Sequence, residues 1–286
     1  MRREALRTRL EVMRYTLAEN GLHALAFGLF ALLIFATVFG PVLAPQDPLA
    51  TNPADALNPP SWRYWFGTDQ LGRDVFSRVL VATRLDMVIA FSAVLISCAV
   101  GSLIGAALGY FGGTVDRVAS RFTDVLMAFP LFVLAMAMVA ALGNTVANVI
   151  YATAIINLPF YIRLARAEVG VRRNLGYVEA ARVGGSGHFR ILTVFLLPNI
   201  ASPVVIQASV NLGWALLNAA GLSFLGMGVR PPTPEWGILV AEGARYIASG
   251  QWWMFLFPGL ALMLAVFTFN LLGDALRDIL DPRART

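Results

Sequence analysis

Long uncharged runs of apolar residues dominate this sequence and restrict its fold more than any other feature. Five of these runs cover residues 22–44, 87–111, 125–142, 145–162 and 252–273. A sixth stretch, 191–229, is too long for one span, so we divide it into a helix near 191–217 and a re-entrant or interfacial piece from about residue 219. Because a membrane helix needs about 20 mainly apolar residues, we predict an all-α integral membrane protein with six transmembrane helices.

The distribution of arginine predicts how these helices are oriented. Arginine supplies all 22 basic residues, and six spans place both termini on the same side of the membrane. With the termini in the cytoplasm, 16 arginines lie on the cytoplasmic side and 6 lie outside. This asymmetry agrees with the positive-inside rule. It also explains the net charge of +5 without a nucleic-acid partner.

Several reactive residue types are absent or isolated. The chain has no lysine, which excludes the lysine of a P-loop and a lysine Schiff base. Cys98 is the only cysteine, and His23 and His188 lie far apart in sequence, so we predict neither a disulfide nor a metal site. No charged residue lies in the middle of a predicted span. This argues against an intramembrane enzyme and against a proton-coupled secondary transporter.

The apolar runs and the charges divide the chain into five segments. These are a basic N-terminal segment 1–21, a first transmembrane helix 22–44, an external linker and interfacial segment 45–86, a core of five helices 87–274 and a cytoplasmic tail 275–286. We read the first run as a retained anchor, because it is too long for a signal-peptide core. Within 45–86, Thr68 or Asp69 is predicted to cap an interfacial helix. A calcium site at Asp69 and Asp74 is disfavoured, since their spacing is not that of an EF-hand.

The loop 163–190 is the only long cytoplasmic connection between predicted spans. Asn174 is predicted to cap a short helix that contains Glu179, and Gly184 and Gly185 are predicted to end it. Ser186 would cap the next helix, which begins near His188 and enters the membrane. Two interpretations remain open at this point. The loop is either a structural elbow, with Glu179 paired to Arg182, or a docking surface for a basic partner.

The same loop resembles the EAA loop of ABC importer permeases. That pattern is EAA, three residues, glycine, nine residues and then I-x-L-P. It falls here on Glu179, Ala180, Ala181, Gly185, Phe195, Leu197 and Pro198, with phenylalanine in place of the usual isoleucine. Three further motifs resemble the DppC/OppC type, the second permease subunit of dipeptide, oligopeptide and nickel importers: "FGTDQLGRDVFSR" (66–78), "GLSFLGMGVRPPTPEWG" (221–237) and "FNLLGDALRDILDPR" (269–283). The resemblance covers roughly residues 60–283.

This resemblance implies a type I ABC importer permease fold in the bacterial cytoplasmic membrane. The chain would form half of the translocation path for di- or oligopeptides. Its implied partners are a second homologous permease subunit, two cytoplasmic ATPase subunits (or one fused ATPase) and an external substrate-binding protein. ATP and Mg²⁺ would bind to the ATPases, with no cofactor in this chain, and the EAA loop would be the coupling helix. Chelated nickel and a glutathione-like solute remain alternative cargoes. A self-contained secondary transporter or channel, which needs no ATPase, is the alternative of a different class.

Polar residues inside predicted spans are the candidates for the translocation path, because such residues often face a bundle interior or a pore. The predicted path residues are Asn157, Ser202, Gln207, Ser209 and Asn211. Hydrogen bonding between helices is the competing explanation for each of them. On the external side, Arg230 and Trp236 are predicted to contact the binding protein, against the alternative of a rigid interfacial turn.

Overall fold

The computed structural model describes residues 21–280, and its regular structure is helical. Most of the predicted N-terminal segment 1–21 and the end of the predicted tail 275–286 lie outside the described residues. Between residues 21 and 280 the structure contains no strand, only an isolated bridge between Thr68 and Asp74. The principal helices are α1 (Gly21–Leu43), α2 (Val75–Phe111), α3 (Gly113–Ala128), α4 (Leu131–Leu142), α5 (Val146–Arg172), α6 (Gly176–Val183), α7 (His188–Phe224), α8 (Trp236–Ala244) and α9 (Trp253–Leu280).

The predicted all-α membrane fold is confirmed, with one span of unexpected shape. Within residues 21–280, helices α1, α2, α5, α7 and α9 are each long and apolar enough to cross a membrane. Helices α3 and α4 pass the same test only as a pair bent by 90°, which gives up to six spans. The predicted continuous helix 125–142 is therefore wrong. Phe129 is extended (ψ 146°) because it precedes Pro130, which has no N–H to donate to a helix.

Two other predicted boundaries also differ from the structure. Helix α2 begins at Val75 rather than at residue 87, and its cap is Asp74 rather than Thr68 or Asp69. The Asp74 carboxylate accepts hydrogen bonds from the backbone N of Ser77 at 2.9 Å and from its Oγ at 2.6 Å. Helix α7 continues to Phe224, so the predicted break near residue 219 is wrong as well.

Helix α2 is the centre of the bundle and packs closely along α5. Gly101, Gly105 and Gly109 form a seam with a spacing of four residues on one face of α2. A Cβ at these three positions would lie 2.7 Å from Tyr161 Cβ, 2.3 Å from the Ile162 carbonyl oxygen and 2.5 Å from the Arg166 carbonyl oxygen, respectively. Small residues at this spacing allow two membrane helices to approach until their backbones touch. The seam therefore fixes the register between α2 and α5.

A buried network of charges, which we call the junction, holds the segment before α2 against α8. Its members are Asp69, Arg73, Arg78 and Glu242. Arg73 Nε donates to Asp69 Oδ2 at 2.6 Å, Arg78 also pairs with Asp69, and Arg78 Nη2 lies 3.2 Å from Glu242 Oε2. Arg78 and Asp86 of α2 are both fully buried, so this helix carries buried ionisable groups that the predicted span 87–111 left out. The Arg78 guanidinium is tolerated because Asp69 and Glu242 are its ionic partners. The Asp86 carboxyl accepts a hydrogen bond from the Trp236 backbone N and has no cationic partner among the described residues.

Candidate functional site

The loop predicted from the sequence folds into a compact elbow, which we define as residues 175–190. Helix α6 within it is anchored by Val178, whose side chain is completely buried. Glu179 and Ala180 are exposed on the opposite face, and Ala181 is half-buried. Leu175 occupies the N-cap position without a side-chain hydrogen bond, so the predicted cap at Asn174 is wrong. The burial of one apolar residue thus leaves Glu179 and Ala180 facing outwards.

Glycine closes the elbow, as the sequence predicted. The backbone N of Gly184 donates to the Ala180 carbonyl at 2.8 Å, and the N of Ser186 donates to the Ala181 carbonyl at 3.0 Å. Gly185 between them has a φ of 81°, a conformation in which a residue with a Cβ is strained. Gly187, not Ser186, is the N-cap of the following helix, and it makes no side-chain cap. The tight turn keeps α6 and the start of α7 close together.

The outer surface of the elbow combines one acid with two exposed apolar side chains. Among the described residues no ion pair joins Glu179 to Arg182, so the pairing in the structural-elbow interpretation is not present. Glu179 instead lies exposed in the first turn of α6, where the helix dipole favours a negative charge. Val183 and Phe189 are 90% and 80% exposed on either side of the glycine turn. An exposed aromatic residue beside an available charge is typical of a protein interface.

Long-range hydrogen bonds attach both ends of the elbow to the end of α2. The Tyr110 hydroxyl lies 2.8 Å from His188 Nδ1, at the start of α7. Arg173 Nη1, just before the elbow, donates to the Gly109 carbonyl at 3.1 Å. Tyr110 and His188 are 78 residues apart in sequence, and Arg173 and Gly109 are 64 apart. No local sequence pattern could therefore have indicated these contacts. A displacement of the elbow must therefore move α2 or break these bonds.

The elbow continues directly into α7 through a stretch of irregular helix. Residues Ile191–Leu196 form a π-helical segment, in which the Leu197 backbone N donates to the Leu192 carbonyl at 2.8 Å. Pro198 follows and has no N–H, so the regular i→i−4 pattern cannot continue through it. The 3₁₀ turn Pro198–Ile200 then leads into regular α-helix from Ala201. Such π-helical segments are frequent at functional sites.

Further along α7 lies a cavity of about 430 Å³, which we call the amide cavity. Its lining comes from α4, α5, α7 and the bend before α4: Pro130, Leu131, Phe132, Ile156, Asn157, Phe160, Gln207, Val210, Asn211, Trp214 and Asn218. Three predicted path residues, Asn157, Gln207 and Asn211, thus lie in one cavity although they come from two helices. Asn218, which the sequence analysis did not select, follows Asn211 at a spacing of seven residues, two helical turns along the same face.

The amides in this cavity are arranged by hydrogen bonds to their own helices. Gln207 Nε2 donates to Asn211 Oδ1 at 2.9 Å, and Asn157 Nδ2 donates to the Thr153 carbonyl at 2.7 Å. Asn218 Nδ2 donates to the Trp214 carbonyl at 2.8 Å. Every residue of the lining is uncharged. The cavity is therefore suited to neutral polar groups, with aromatic rings on its remaining walls.

Two other predicted path residues do not line this cavity. Ser209 is buried, and its hydroxyl donates to the Val205 carbonyl at 3.1 Å. A Cβ on Gly273 would lie 3.7 Å from the Ser209 Cβ, so Ser209 faces α9 rather than this cavity. Ser202, on the same helix, is half-buried and does not line the cavity either.

The two residues predicted to contact the binding protein differ in their exposure. Arg230 is exposed, but Trp236 is only 2% exposed, so its assignment as a docking residue is wrong. The Trp236 indole donates to the Val79 carbonyl at 3.0 Å, and its backbone N donates to Asp86 Oδ2 at 3.1 Å. Glu235 caps α8 by accepting from the backbone N of Gly237 and Ile238, and its burial raises the pKa of this carboxyl. The segment before α8 is thereby fixed to α2.

A bundle of membrane-spanning helices with an exposed elbow that continues into a cavity-lining helix has the architecture of a membrane permease. The chain belongs to the family of binding-protein-dependent transport system inner membrane components, which it matches over residues 101–286. The matched region includes the seam, the elbow and the amide cavity. Helix α1 and the segment before α2 precede it.

Several permease proteins are similar to this chain over most of their length. It is 42% identical to the probable D,D-dipeptide transport system permease protein DdpC of Escherichia coli K12, covering 90% of this chain and 86% of that protein. It is 43% identical to the di/tripeptide transport system permease protein DppC of Pseudomonas aeruginosa, covering 89% and 86%. It is 42% identical to the glutathione transport system permease protein GsiD of Pectobacterium atrosepticum, covering 92% and 88%.

Proposed function

We propose that this chain is a permease subunit of an ATP-driven importer and forms half of the translocation path for di- or oligopeptides. The observation that carries the proposal is the amide cavity on the same helix as the exposed elbow. Its neutral amides can exchange hydrogen bonds with the backbone amides of a peptide. Three similar permeases are named for D,D-dipeptide, di/tripeptide and glutathione transport, and all of these solutes contain amide bonds.

The surfaces of the chain support the proposed partners. Trp214 lines the amide cavity and is nevertheless 61% exposed, which leaves one side of the cavity for a second homologous permease subunit to complete. The elbow offers Glu179, Val183 and Phe189 to one of two cytoplasmic ATPase subunits, or to one fused ATPase. We place ATP and Mg²⁺ on those ATPases, since the chain has no lysine for a Walker A motif of its own. An external binding protein would deliver the peptide, and exposed Arg230 stays a proposed contact for it.

The proposed mechanism is a rigid-body movement transmitted along α7. With the termini in the cytoplasm, the elbow lies on the side of the ATPases, and the first residue of α7 is about 28 Å along the helix axis from Gln207. ATP-driven closure of the ATPases would displace the elbow and tilt α7. This tilt would change the width of the amide cavity, because Gln207, Asn211 and Asn218 all belong to that helix.

Reversal of one charge on the elbow tests the coupling. We expect Glu179→Arg to abolish the ATPase activity that co-purifies with the chain from native membranes and to abolish dipeptide uptake in proteoliposomes. Asn174→Arg is the matched control, because it adds a positive charge at an exposed position just before α6. Loss of activity in both variants, or in neither, would show that Glu179 is not a docking residue and would reopen the secondary-transporter alternative.

Removal of one amide tests the path. We expect Gln207→Leu to reduce dipeptide uptake about tenfold, equivalent to about 1.4 kcal/mol, while the ATPase subunits remain bound. Ser209→Ala on the same helix is the control, since that hydroxyl faces α9 and bonds to its own backbone. Wild-type uptake by Gln207→Leu would remove this residue from the path.

A further inference from the structure

A second cavity, larger than the amide cavity, lies as a groove between α1, α2 and α9. Its volume is about 600 Å³. The lining is apolar apart from two threonines and one indole, and it comprises Leu29, Leu32, Leu33, Ala36, Phe66, Phe76, Val79, Leu80, Thr83, Trp236, Phe257, Leu260, Ala261, Leu264, Ala265 and Thr268. The groove is separate from the amide cavity, with which it shares no lining residue.

The few polar groups of the groove are already satisfied within the chain. The Trp236 indole donates to the Val79 carbonyl at 3.0 Å, and the Thr83 hydroxyl donates to the same carbonyl at 3.2 Å. The Thr268 hydroxyl donates to the Leu264 carbonyl at 2.7 Å. An apolar cavity of this kind does not hold ordered water. It also offers nothing to the amides of a peptide, so its occupant must be hydrocarbon.

The length of the groove matches one leaflet of a bilayer. Along α9 the lining extends from Phe257 to Thr268, about 16 Å of helix. Half of the hydrocarbon core of a bilayer is about 15 Å thick. Phe257 lies near the first residue of α9, and Ala36 lies toward the last residue of α1, so the groove is in the half of the bundle next to residues 44–74.

The dimensions do not fit a transmembrane helix of another subunit. Such a helix is about 10 Å wide and needs about 30 Å to cross the hydrocarbon core. Along α1 the groove is lined only from Leu29 to Ala36, about 10 Å. A single extended hydrocarbon chain needs neither this width nor this length.

We propose that the groove binds one acyl chain of a phospholipid from the leaflet next to residues 44–74. The acyl chain lies along α9, and the Trp236 side chain forms part of the groove wall. It fills the space between α1, α2 and α9, whose side chains form most of the groove wall. The bound lipid thereby helps to hold α1 against α2 and α9.

Photo-crosslinking tests the site directly. The full chain, with the subunits that it retains from native membranes, is placed in nanodiscs of phosphatidylethanolamine and phosphatidylglycerol that carry a diazirine on one acyl chain. We expect adducts on groove residues of α1, α2 and α9 at least fivefold above those on Met263. Met263 belongs to α9 at the same depth, is 61% exposed and does not line the groove.

Filling the groove provides the matched variants. We expect Ala261→Trp and Ala36→Trp each to reduce groove adducts at least fivefold, and Met263→Trp to leave them unchanged. Two filling variants on different helices are used because one of them alone could fail to assemble. Groove adducts no more frequent than those on Met263 would mean ordinary contact with bulk lipid and would overturn the proposal. Crosslinking of a cysteine at Leu32 to another subunit would identify an interface between subunits and would overturn it too.

Discussion

The junction and the elbow carry similar charges but use them in opposite ways. In the junction, the guanidinium of Arg78 is completely buried and has two carboxylate partners, Asp69 and Glu242. In the elbow, Glu179 and Arg182 are exposed, and no ion pair joins them in the described part of the chain. Charges that are satisfied inside one chain stabilise its own fold, whereas charges left at the surface are available to a partner. Variants in the junction, in the elbow and in α2 between them should therefore differ in their effects on stability and on coupling.

Removal of a charge should be severe in the junction and mild in the elbow. Arg78→Met leaves the Asp69 carboxylate buried with one partner fewer, so we expect a loss of about 3–5 kcal/mol in the free energy of unfolding. Arg182→Met changes an exposed residue and should cost less than about 0.5 kcal/mol. Denaturant titration in detergent micelles measures both. Similar losses in the two variants would contradict the contrast.

Helix α2 joins the two regions, and its glycine seam should be the next most sensitive feature. In Gly105→Ala the new Cβ meets the Ile162 carbonyl oxygen at 2.3 Å, which is backbone and cannot move aside freely. We expect this overpacking to cost about 1–3 kcal/mol. Gly170→Ala is the control, because nothing lies within 4 Å of its Cβ. If Gly105→Ala is as stable as Gly170→Ala, the seam does not fix the register of α2 and α5.

Breaking one anchor of the elbow should affect coupling more than stability. Tyr110→Phe removes the hydrogen bond to His188, and a single bond of this kind contributes about 0.5–1.5 kcal/mol. We expect a lower ratio of peptide imported to ATP hydrolysed in proteoliposomes, with the complex still assembled. Tyr151→Phe, at a 52% exposed tyrosine of α5, should leave that ratio unchanged. An unchanged ratio in Tyr110→Phe would show that this bond transmits no movement.

The smallest expected effect is a pH dependence of stability from Glu235, the residue that caps α8. Burial raises the pKa of Glu235 above its ordinary value of 4.5, so the folded state holds this proton more tightly than the unfolded state. Stability from this group is therefore complete below pH 4.5 and decreases as pH rises towards the folded pKa. Glu235→Gln should reduce that slope, which thermal unfolding at a series of pH values measures. A slope that persists unchanged in the variant would assign it to another group.

The residues that sequence reasoning located correctly are those with a local pattern. The EAA residues, the glycine turn at Gly185 and most of the spans follow from neighbouring residues, because helix formation and glycine turns depend on short-range geometry. The bend at Pro130 was missed because this proline lies inside an apolar run that was taken as one continuous helix. The seam was missed too, although its three glycines at a spacing of four form a pattern that brings membrane helices together.

The roles of single polar residues could not be deduced in the same way. Asn211 and Ser209 are two residues apart on one helix, yet one lines the amide cavity and the other faces α9. Trp236 and Arg230 are close in sequence, yet only Arg230 is exposed. Which face of a helix meets a neighbour depends on packing between segments that are distant in sequence.

Consecutive residues are sufficient to identify this chain as a helical membrane protein with an elbow of the importer permease type. Lengths of apolar runs, the positions of arginines and a short motif are properties of consecutive residues, so they can be read along the chain. Packing between distant helices sets which amides share a cavity, which charges are buried as partners and where an apolar groove opens. Those features arise from contacts between residues distant in sequence, such as Trp236 and Val79 in the groove wall, 157 positions apart. The energy of a polar group there depends on its burial and on its partners.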